Sequence, residues 1–212
     1  YNDAPIFAQM VLQSTFDVAQ VEVLRGPQGT LKGRASPSGA INLATRKPVL
    51  DEFGGYIQTT VNDIGSYNVN GALNLPIIKD VLGIRVAGLW DQNELNRVET
   101  INTGLGGDEP ESETTAFRVS VKFEPTDWFS FDASYQNLQN DSFFYNQYES
   151  LSVLDPSAPA SPVTITAGDR YSIQEGAHDN EAEFHILNAN ATFSFRGQNL
   201  IYIGQYFKQE LV

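Results

Sequence analysis

Residues 21–34 read VEVLRGPQGTLKGR, and residues 38–48 read SGAINLATRKP. Each block contains an apolar run that predicts a short strand, at residues 20–24 and 40–45, and a short helix or turn is expected from Phe16. The glycines between these runs predict tight turns, because glycine accepts positive φ angles and close backbone approach. We therefore expect residues 1–48 to form one compact unit that ends at Pro48.

From residue 53 onward, apolar and polar residues alternate with a period of two, which is typical of strands with two unlike faces. The clearest run covers residues 116–124. The residues expected on its apolar, lipid-facing side and on that of the following strand are Phe117, Val119, Val121, Phe129 and Phe131. Arg118, Lys122 and Asp132 are expected to face inward, because a one-residue slip would place charge in hydrocarbon.

About seven such strands are predicted. Their ranges are 53–62, 67–76, 81–95, 114–124, 128–140, 183–195 and 199–212. Several reach the roughly 9–11 residues that a tilted strand needs to cross a bilayer. The third strand is less regular because Leu89 falls among the polar positions, and the seventh because residues 200–203 are apolar on both faces.

The links between these strands alternate in length. Short links are predicted at residues 77–80, 125–127 and 196–198, and long ones at 96–113 and 141–182. In an up-and-down meander the long links then share one end, as in outer-membrane barrels with short periplasmic turns and long outer loops. The remaining short link, at residues 63–66, falls on the long-loop side and neither supports nor opposes this interpretation.

The composition narrows the class of protein further. A net charge of -13 argues against nucleic acid, whose phosphates select basic surfaces. The charge is uneven, because residues 1–50 carry five basic and three acidic side chains, whereas the rest of the chain carries eight and 23. The chain has no cysteine, so disulfides, thiolate metal sites and cysteine nucleophiles are excluded.

A soluble β-sandwich also has alternating strands and is the main competing interpretation. Two features favour the barrel. The polar face is charged or amide-rich at almost every step, as a water-filled lumen requires, and the apolar face is aromatic near the strand ends. Aromatic girdles of that kind are typical of membrane interfaces.

The two blocks quoted above closely resemble the signature of TonB-dependent outer-membrane receptors. In that family a strand that reads roughly IEVLRGPQGTLYG is followed by GGAINIVTKKP and closes the plug domain just before the first barrel strand. Lys32 stands here where an aromatic residue is usual, and Ser38 stands where glycine is frequent. The Gly, Pro and Arg framework is intact.

The resemblance implies a mainly β fold in two parts. Residues 1–48 would be the C-terminal part of a plug domain, and residues 49–212 the first antiparallel strands of a transmembrane barrel of about 22 strands. It also implies that a signal peptide, a TonB-binding segment and the first half of the plug precede the chain, and that further strands follow it. We therefore expect the chain to be a piece of a longer protein.

The family also implies a function: TonB-dependent import of a scarce ligand across the bacterial outer membrane. The expected partners are TonB of the inner-membrane energy complex, bound through a segment outside this chain, outer-membrane lipid and lipopolysaccharide, and a siderophore, metal complex or oligosaccharide. A non-transporting adhesive or structural barrel is the alternative, and a soluble carbohydrate-binding domain is a third. Transport predicts that residues 1–48 lie inside the barrel lumen.

The plug motif supplies candidate docking residues. Glu22 and Arg25 flank the end of the first strand and could form a buried or half-buried charge pair that holds the plug in the polar lumen. The residues to which we assign this structural and docking role are Glu22, Arg25, Gly26, Pro27, Gly29, Gly33 and Gly39.

The remaining motifs predict no enzyme, cofactor or metal site. His178 and His185 are expected to be lumen or loop residues, and Lys32 precedes Gly33, which breaks the order of a phosphate-binding loop. Acidic residues concentrate in the two long loops, either as a solvated surface bridged by divalent cations or as an attractant for a cationic ligand. Candidate ligand-binding aromatics in the second loop are Phe143, Phe144, Tyr145 and Tyr148.

Overall fold

The computed structural model describes residue 2 and residues 15–27, 39–63, 65–101, 110–155, 158–174 and 176–211, with the side chains of 151–155 and 158–163 left out. In this described part the chain forms strands, with no helix long and apolar enough to cross a membrane. The strands are β1 (Val18–Arg25), β2 (Gly39–Thr45), β3 (Gly54–Val61), β4 (Tyr67–Ile78), β5 (Leu82–Asn93), β6 (Glu99–Thr100), β7 (Glu111–Thr126), β8 (Phe129–Phe144), β9 (Ser150–Asp155), β10 (Ala158–Ile165), β11 (Tyr171–Ser172), β12 (His178–Phe195) and β13 (Gln198–Leu211).

Seven of these strands form one antiparallel sheet in the order β13-β12-β8-β7-β5-β4-β3. This meander agrees with the predicted antiparallel strands in type and in order. Four of them are longer than predicted: β4 ends at Ile78, β7 begins at Glu111, β8 ends at Phe144 and β12 begins at His178. The apolar alternation stops earlier than the backbone ladder, which continues through polar pairs such as Ser112 opposite Ser142.

The links keep the predicted alternation of length. The short turn between β12 and β13 has positive φ at Arg196 (49°) and Gly197 (78°), as a two-residue hairpin turn requires. At the same end, the amide of Asp80 donates to the carbonyl of Leu50 (3.0 Å). The chain therefore passes from the β1–β2 hairpin into the sheet on the side of the short turns.

The two faces of the sheet differ as predicted. Arg118 is 1% exposed on the face that covers the first segment of the chain, whereas Phe117 is 45% exposed on the opposite face. The outward aromatics pair at the two ends of the strands, with ring centroids 5.9 Å apart for Phe117 and Tyr135 and 4.9 Å apart for Phe129 and Phe193. From Phe117 to Phe123 the strand rises by about 20 Å at ~3.3 Å per residue, close to the height of an outer-membrane apolar band.

β1 and β2 form a separate antiparallel hairpin in which Arg25 lies opposite Gly39. Gly39 has φ 137°, and a Cβ atom there would overlap the carbonyl oxygen of Leu24. Gly26 has φ 86° directly after β1. Backbone geometry accounts for glycine at these two positions, the docking role assigned to them stays a prediction, and Gly29 and Gly33 lie outside the described residues. Phe16 and Asp17 form a bend, so the turn and not the helix precedes β1.

The two long loops contain strands that the sequence pattern did not predict. β9 pairs with β10 inside the second loop, and β6 in the first loop pairs in parallel with β11 in the second. Val98 and Ser172, one from each loop, are both 0% exposed. The loops are therefore packed against each other.

Candidate functional site

The segment before β1 is fixed to the inner face of the sheet through Asp17, which is 5% exposed. Arg85 of β5 donates from Nε to Oδ2 of Asp17 (2.8 Å) and from Nη2 to Oδ1 (2.5 Å). Both carboxylate oxygens are thus held in a two-pronged bond, the geometry in which a guanidinium and a carboxylate interact most strongly. We call Asp17, Arg85 and Arg118 the plug clamp.

Arg118 of β7 completes this clamp from the neighbouring strand. Its Nη2 donates to the carbonyl oxygens of Phe16 (2.9 Å) and Asp17 (3.1 Å) and lies 3.5 Å from Oδ2 of Asp17. Its Nη1 donates to Oε1 of Gln136 (3.1 Å), and its guanidinium carbon lies 4.6 Å from the ring centroid of Phe16. One side chain therefore binds the plug backbone, the plug carboxylate and the barrel wall.

The register of the sheet explains why both arginines meet one carboxylate. Arg118 lies opposite Ala87 of β5, two residues from Arg85 and on the same face. A buried ion pair contributes little net stability, but removal of one partner leaves an unpaired buried charge and costs about 3–5 kcal/mol. The clamp is therefore sensitive to loss of any member.

A second attachment holds the link between the hairpin and the sheet. Asn74 of β4 is 3% exposed; its Oδ1 accepts from the amide of Val49 (2.8 Å), and its Nδ2 donates to the carbonyls of Val49 (2.9 Å) and Glu52 (2.7 Å). Lys47 also lies 3.1 Å from Asp132, but the lysine is 61% exposed and such surface pairs contribute about 0–1 kcal/mol.

The predicted pair of Glu22 and Arg25 is not formed among the described residues. Both side chains are exposed, and Glu22 accepts instead from Gln20 (2.7 Å) and Asn42 (3.3 Å). The alternation of side chains along a strand explains this, because Glu22 and Arg25 are an odd number of residues apart and point to opposite faces of β1. Their role in docking stays a prediction.

A cavity of about 480 Å³ lies on the inner face towards the long loops. Its lining includes Asn68, Asn70, Asp91, Thr114, Asn140 and Phe144. Asn68 donates to Oδ1 of Asp91 (2.8 Å), Asn70 donates to Oδ1 of Asn68 (3.0 Å), and Asn140 donates to the hydroxyl of Thr114 (2.8 Å). Asn68, Asn70, Thr114 and Asn140 form what we call the amide wall, which presents oriented amide and hydroxyl groups to the cavity.

The four candidate aromatic residues do not form one exposed cluster, although the rings of Phe143 and Tyr145 pack edge-on with centroids 5.7 Å apart. Phe144 borders the cavity beside the amide wall, with its ring 5.2 Å from that of His178. Phe143 points to the outer face, because adjacent strand residues alternate. Tyr145 is 2% exposed, so its ring is unavailable to a ligand, and Tyr148 is 38% exposed.

The loops above the cavity are joined by several hydrogen bonds. Thr100 donates to the carbonyl of Gln174 (2.6 Å), and the amide of Glu99 donates to the carbonyl of Arg170 (3.1 Å). In the second loop, the backbone amide and then the hydroxyl of Thr166 donate to Asp169 and lower the pKa of its carboxyl. The loops thus have internal structure of their own.

Comparisons with known proteins agree with this geometry. The pesticin receptor of Yersinia enterocolitica is 30% identical over 128 residues, which cover 59% of this chain and 18% of the receptor. The probable TonB-dependent siderophore receptor PirA of Acinetobacter baumannii is 32% identical over 116 residues, which cover 50% of this chain and 14% of the receptor. The chain thus spans less than a fifth of the length of these curated relatives. No family model matches the chain.

Solved structures show the same fold. The ferric yersiniabactin uptake receptor FyuA of Yersinia pestis has a TM-score of 0.74 at 20% identity, with 92% of this chain and 29% of that chain covered. The ferripyoverdine receptor of the outer membrane of Pseudomonas aeruginosa has a TM-score of 0.66 at 18% identity, with 92% and 25% covered.

An antiparallel strand meander whose inner wall binds the segment before a β-hairpin matches the fold of a partial plug followed by barrel strands. In sequence the chain is similar to TonB-dependent receptors, as the plug motif predicted, and it shares their fold. Its relatives are receptors and not enzymes, and the bacterial outer membrane is its location.

Proposed function

We propose that the whole protein imports a siderophore–metal complex across the outer membrane with energy supplied through TonB, and that this chain forms the junction of plug and barrel. Residues 1–48 are assigned to the plug and residues 49–212 to the barrel. The observation that carries the proposal is the plug clamp, because it binds the segment that leads into the β1–β2 hairpin to the inner wall, and a plug held there must be displaced before a ligand passes.

The names of the relatives support the class of ligand. They are called a pesticin receptor, a probable siderophore receptor and a catecholate siderophore receptor. The amide wall supports a ligand that is bound by directed hydrogen bonds, since its amide and hydroxyl groups face the cavity between plug and loops. Phe144 supplies an apolar surface at the rim of the same cavity.

The remaining partners follow from the position of the strands. The outward aromatic residues would lie at the two lipid interfaces, and the polar ends of β7, β8 and β12 would project into the lipopolysaccharide layer. TonB would act on a segment outside this chain. A purely adhesive barrel needs no hairpin held against its inner wall by buried charges, so the clamp favours transport over adhesion.

Uptake by cells tests this proposal. The full-length receptor is expressed in a strain that lacks its own siderophore receptors, and uptake of radioactive iron complexed to a panel of siderophores is measured with and without TonB. We expect uptake of at least one complex that requires TonB. Surface binding of cells or matrix without any TonB-dependent uptake would favour the adhesive function instead.

Substitutions of residues that line the cavity test where the ligand binds. Asn140→Ala lies on the amide wall and is expected to weaken binding of the imported complex, whereas Asp141→Asn, the next residue along β8, points outward and serves as the matched control. Equal binding by both variants would move the ligand away from this wall.

A further inference from the structure

Three side chains with metal-binding groups meet on the outer face of the sheet, away from the lumen. Glu183 and His185 are two residues apart on β12 and share one face, and Glu210 of β13 lies directly opposite Glu183 in the register. One ligand atom from each residue lies within 4.8 Å of the others. We call Glu183, His185 and Glu210 the outer triad.

We propose that the outer triad binds a divalent transition-metal ion of the zinc type. Zinc lies about 2.0–2.2 Å from histidine nitrogen and carboxylate oxygen in a tetrahedral arrangement. Two such ligands are therefore about 3.3–3.5 Å apart, and Nε2 of His185 lies 3.3 Å from Oε1 of Glu183. Glu183 and His185 supply two ligands from alternate residues of β12, and Glu210 supplies a third from the position opposite Glu183. The fourth coordination position of the zinc ion is left open.

The neighbours of the outer triad hold its ligands in the required orientation. Coordination through Nε2 requires the proton of His185 to sit on Nδ1, and the hydroxyl oxygen of Tyr135 lies 2.8 Å from Nδ1, where it would accept a hydrogen bond from the Nδ1–H of that tautomer. Asn137 donates to Oε1 of Glu183 (2.9 Å) and restrains this carboxylate. Such outer hydrogen bonds fix the tautomer and the ring orientation of metal-binding histidines.

A lysine of the protein competes for the third ligand. Lys208 lies opposite His185 in the register, and its Nζ is 2.6 Å from Oε1 of Glu210. An incoming cation must displace this ammonium group from the carboxylate. The structure therefore predicts that removal of the lysine charge strengthens metal binding, which is the reverse of what loss of a merely structural ion pair would do.

The outer triad lies on the face of the sheet opposite the cavity, so metal binding there is independent of the proposed import. His185 lies on the same face as Leu187, which is 46% exposed, and on the opposite face from the buried Ile186. A metal ion here would face the surroundings of the barrel and not the amide wall. The inference thus stands whether or not the proposed import function is correct.

Zinc titration of the full-length receptor tests the proposal. The protein is purified in detergent without a histidine tag, stripped with a chelator and titrated with zinc by calorimetry. We expect His185→Gln and Glu183→Gln to lose one equivalent of bound zinc. Glu181→Gln, on the same face of β12 two residues earlier, should keep it. Tyr135→Phe should weaken binding by about tenfold, since outer partners of metal ligands typically contribute that much, and Lys208→Gln should tighten it.

Two results would overturn the proposal. One is an unchanged number of bound zinc ions in His185→Gln. The other is equal loss in Glu181→Gln and Glu183→Gln, which would mean that zinc binds only to diffuse acidic charge. Circular dichroism of each variant establishes that the barrel is folded, so a lost equivalent reports on the site.

Discussion

Arg85 in the barrel wall binds both carboxylate oxygens of Asp17 in the plug segment, across 68 residues of sequence. The two partners are 9% and 1% exposed at their side chains, so the bond is shielded from water and salt. The attachment of plug to barrel therefore depends on a small number of buried atoms, and substitutions there have predictable effects.

Asp17→Ala in the full-length receptor should loosen the plug. It leaves the guanidinium groups of Arg85 and Arg118 buried without their carboxylate, at a cost of about 3–5 kcal/mol. Hydrogen exchange in residues 15–27 and 39–48 should accelerate, and permeability to large antibiotics should rise. Lys47→Gln removes the exposed pair with Asp132 and should change neither. Equal effects of the two variants would contradict the clamp.

Arg118→Lys should also weaken the clamp although the charge is kept. A lysine ammonium is a single point with no planar fork, so it cannot reach the carbonyls of Phe16 and Asp17 and the amide of Gln136 together. We expect faster exchange at residues 15–20, by less than in Asp17→Ala. Wild-type exchange in the lysine variant would show that charge alone holds the segment.

Gly39→Ala should disrupt the β1–β2 hairpin. Gly39 has φ 137°, and the added methyl group would meet the carbonyl oxygen of Leu24. Strain of this kind costs about 1–3 kcal/mol. The control is Gly54→Ala at the start of β3, where a Cβ would meet no atom within 4 Å. Exchange in β1 and β2 should distinguish the two variants, and similar exchange in both would argue against backbone strain.

Arg25→Ala tests the docking role that the plug motif predicted. Because Arg25 is exposed on the hairpin and makes no ion pair among the residues described, its effect on plug exchange should be smaller than that of Asp17→Ala. Ligand affinity should stay nearly intact. Lost ligand binding with unchanged exchange would instead make Arg25 a ligand contact.

The barrel strands could be predicted because a strand with one water-facing and one lipid-facing side shows a local alternation of polar and apolar residues. The same parity assigns Arg118 to the inside and Phe117 to the outside. It also places His185 on the outside with Leu187, so the expectation of a lumen or loop residue for His185 was wrong, and the alternation of β12 already contained the correction.

The plug clamp could not be predicted in the same way. No local pattern relates Asp17 to Arg85 or Arg118, and the plug motif drew attention to Glu22 and Arg25 instead. The pairing of β6 with β11 was missed for the same reason, and each strand has only two residues, too few to show an alternation. Local alternation reports the face on which a residue lies, but it does not report its distant partner.

The parallel pairing of β6 with β11 has a consequence for how the cell surface would be recognised by antibodies. Since Glu99 and Ile101 donate their amides to Arg170 and Ser172 of the other loop, the shape of either loop depends on its neighbour. A peptide copied from one loop alone lacks these bonds and would elicit antibodies that bind the intact receptor poorly. An effective immunogen would have to present both loops joined, as a single discontinuous epitope.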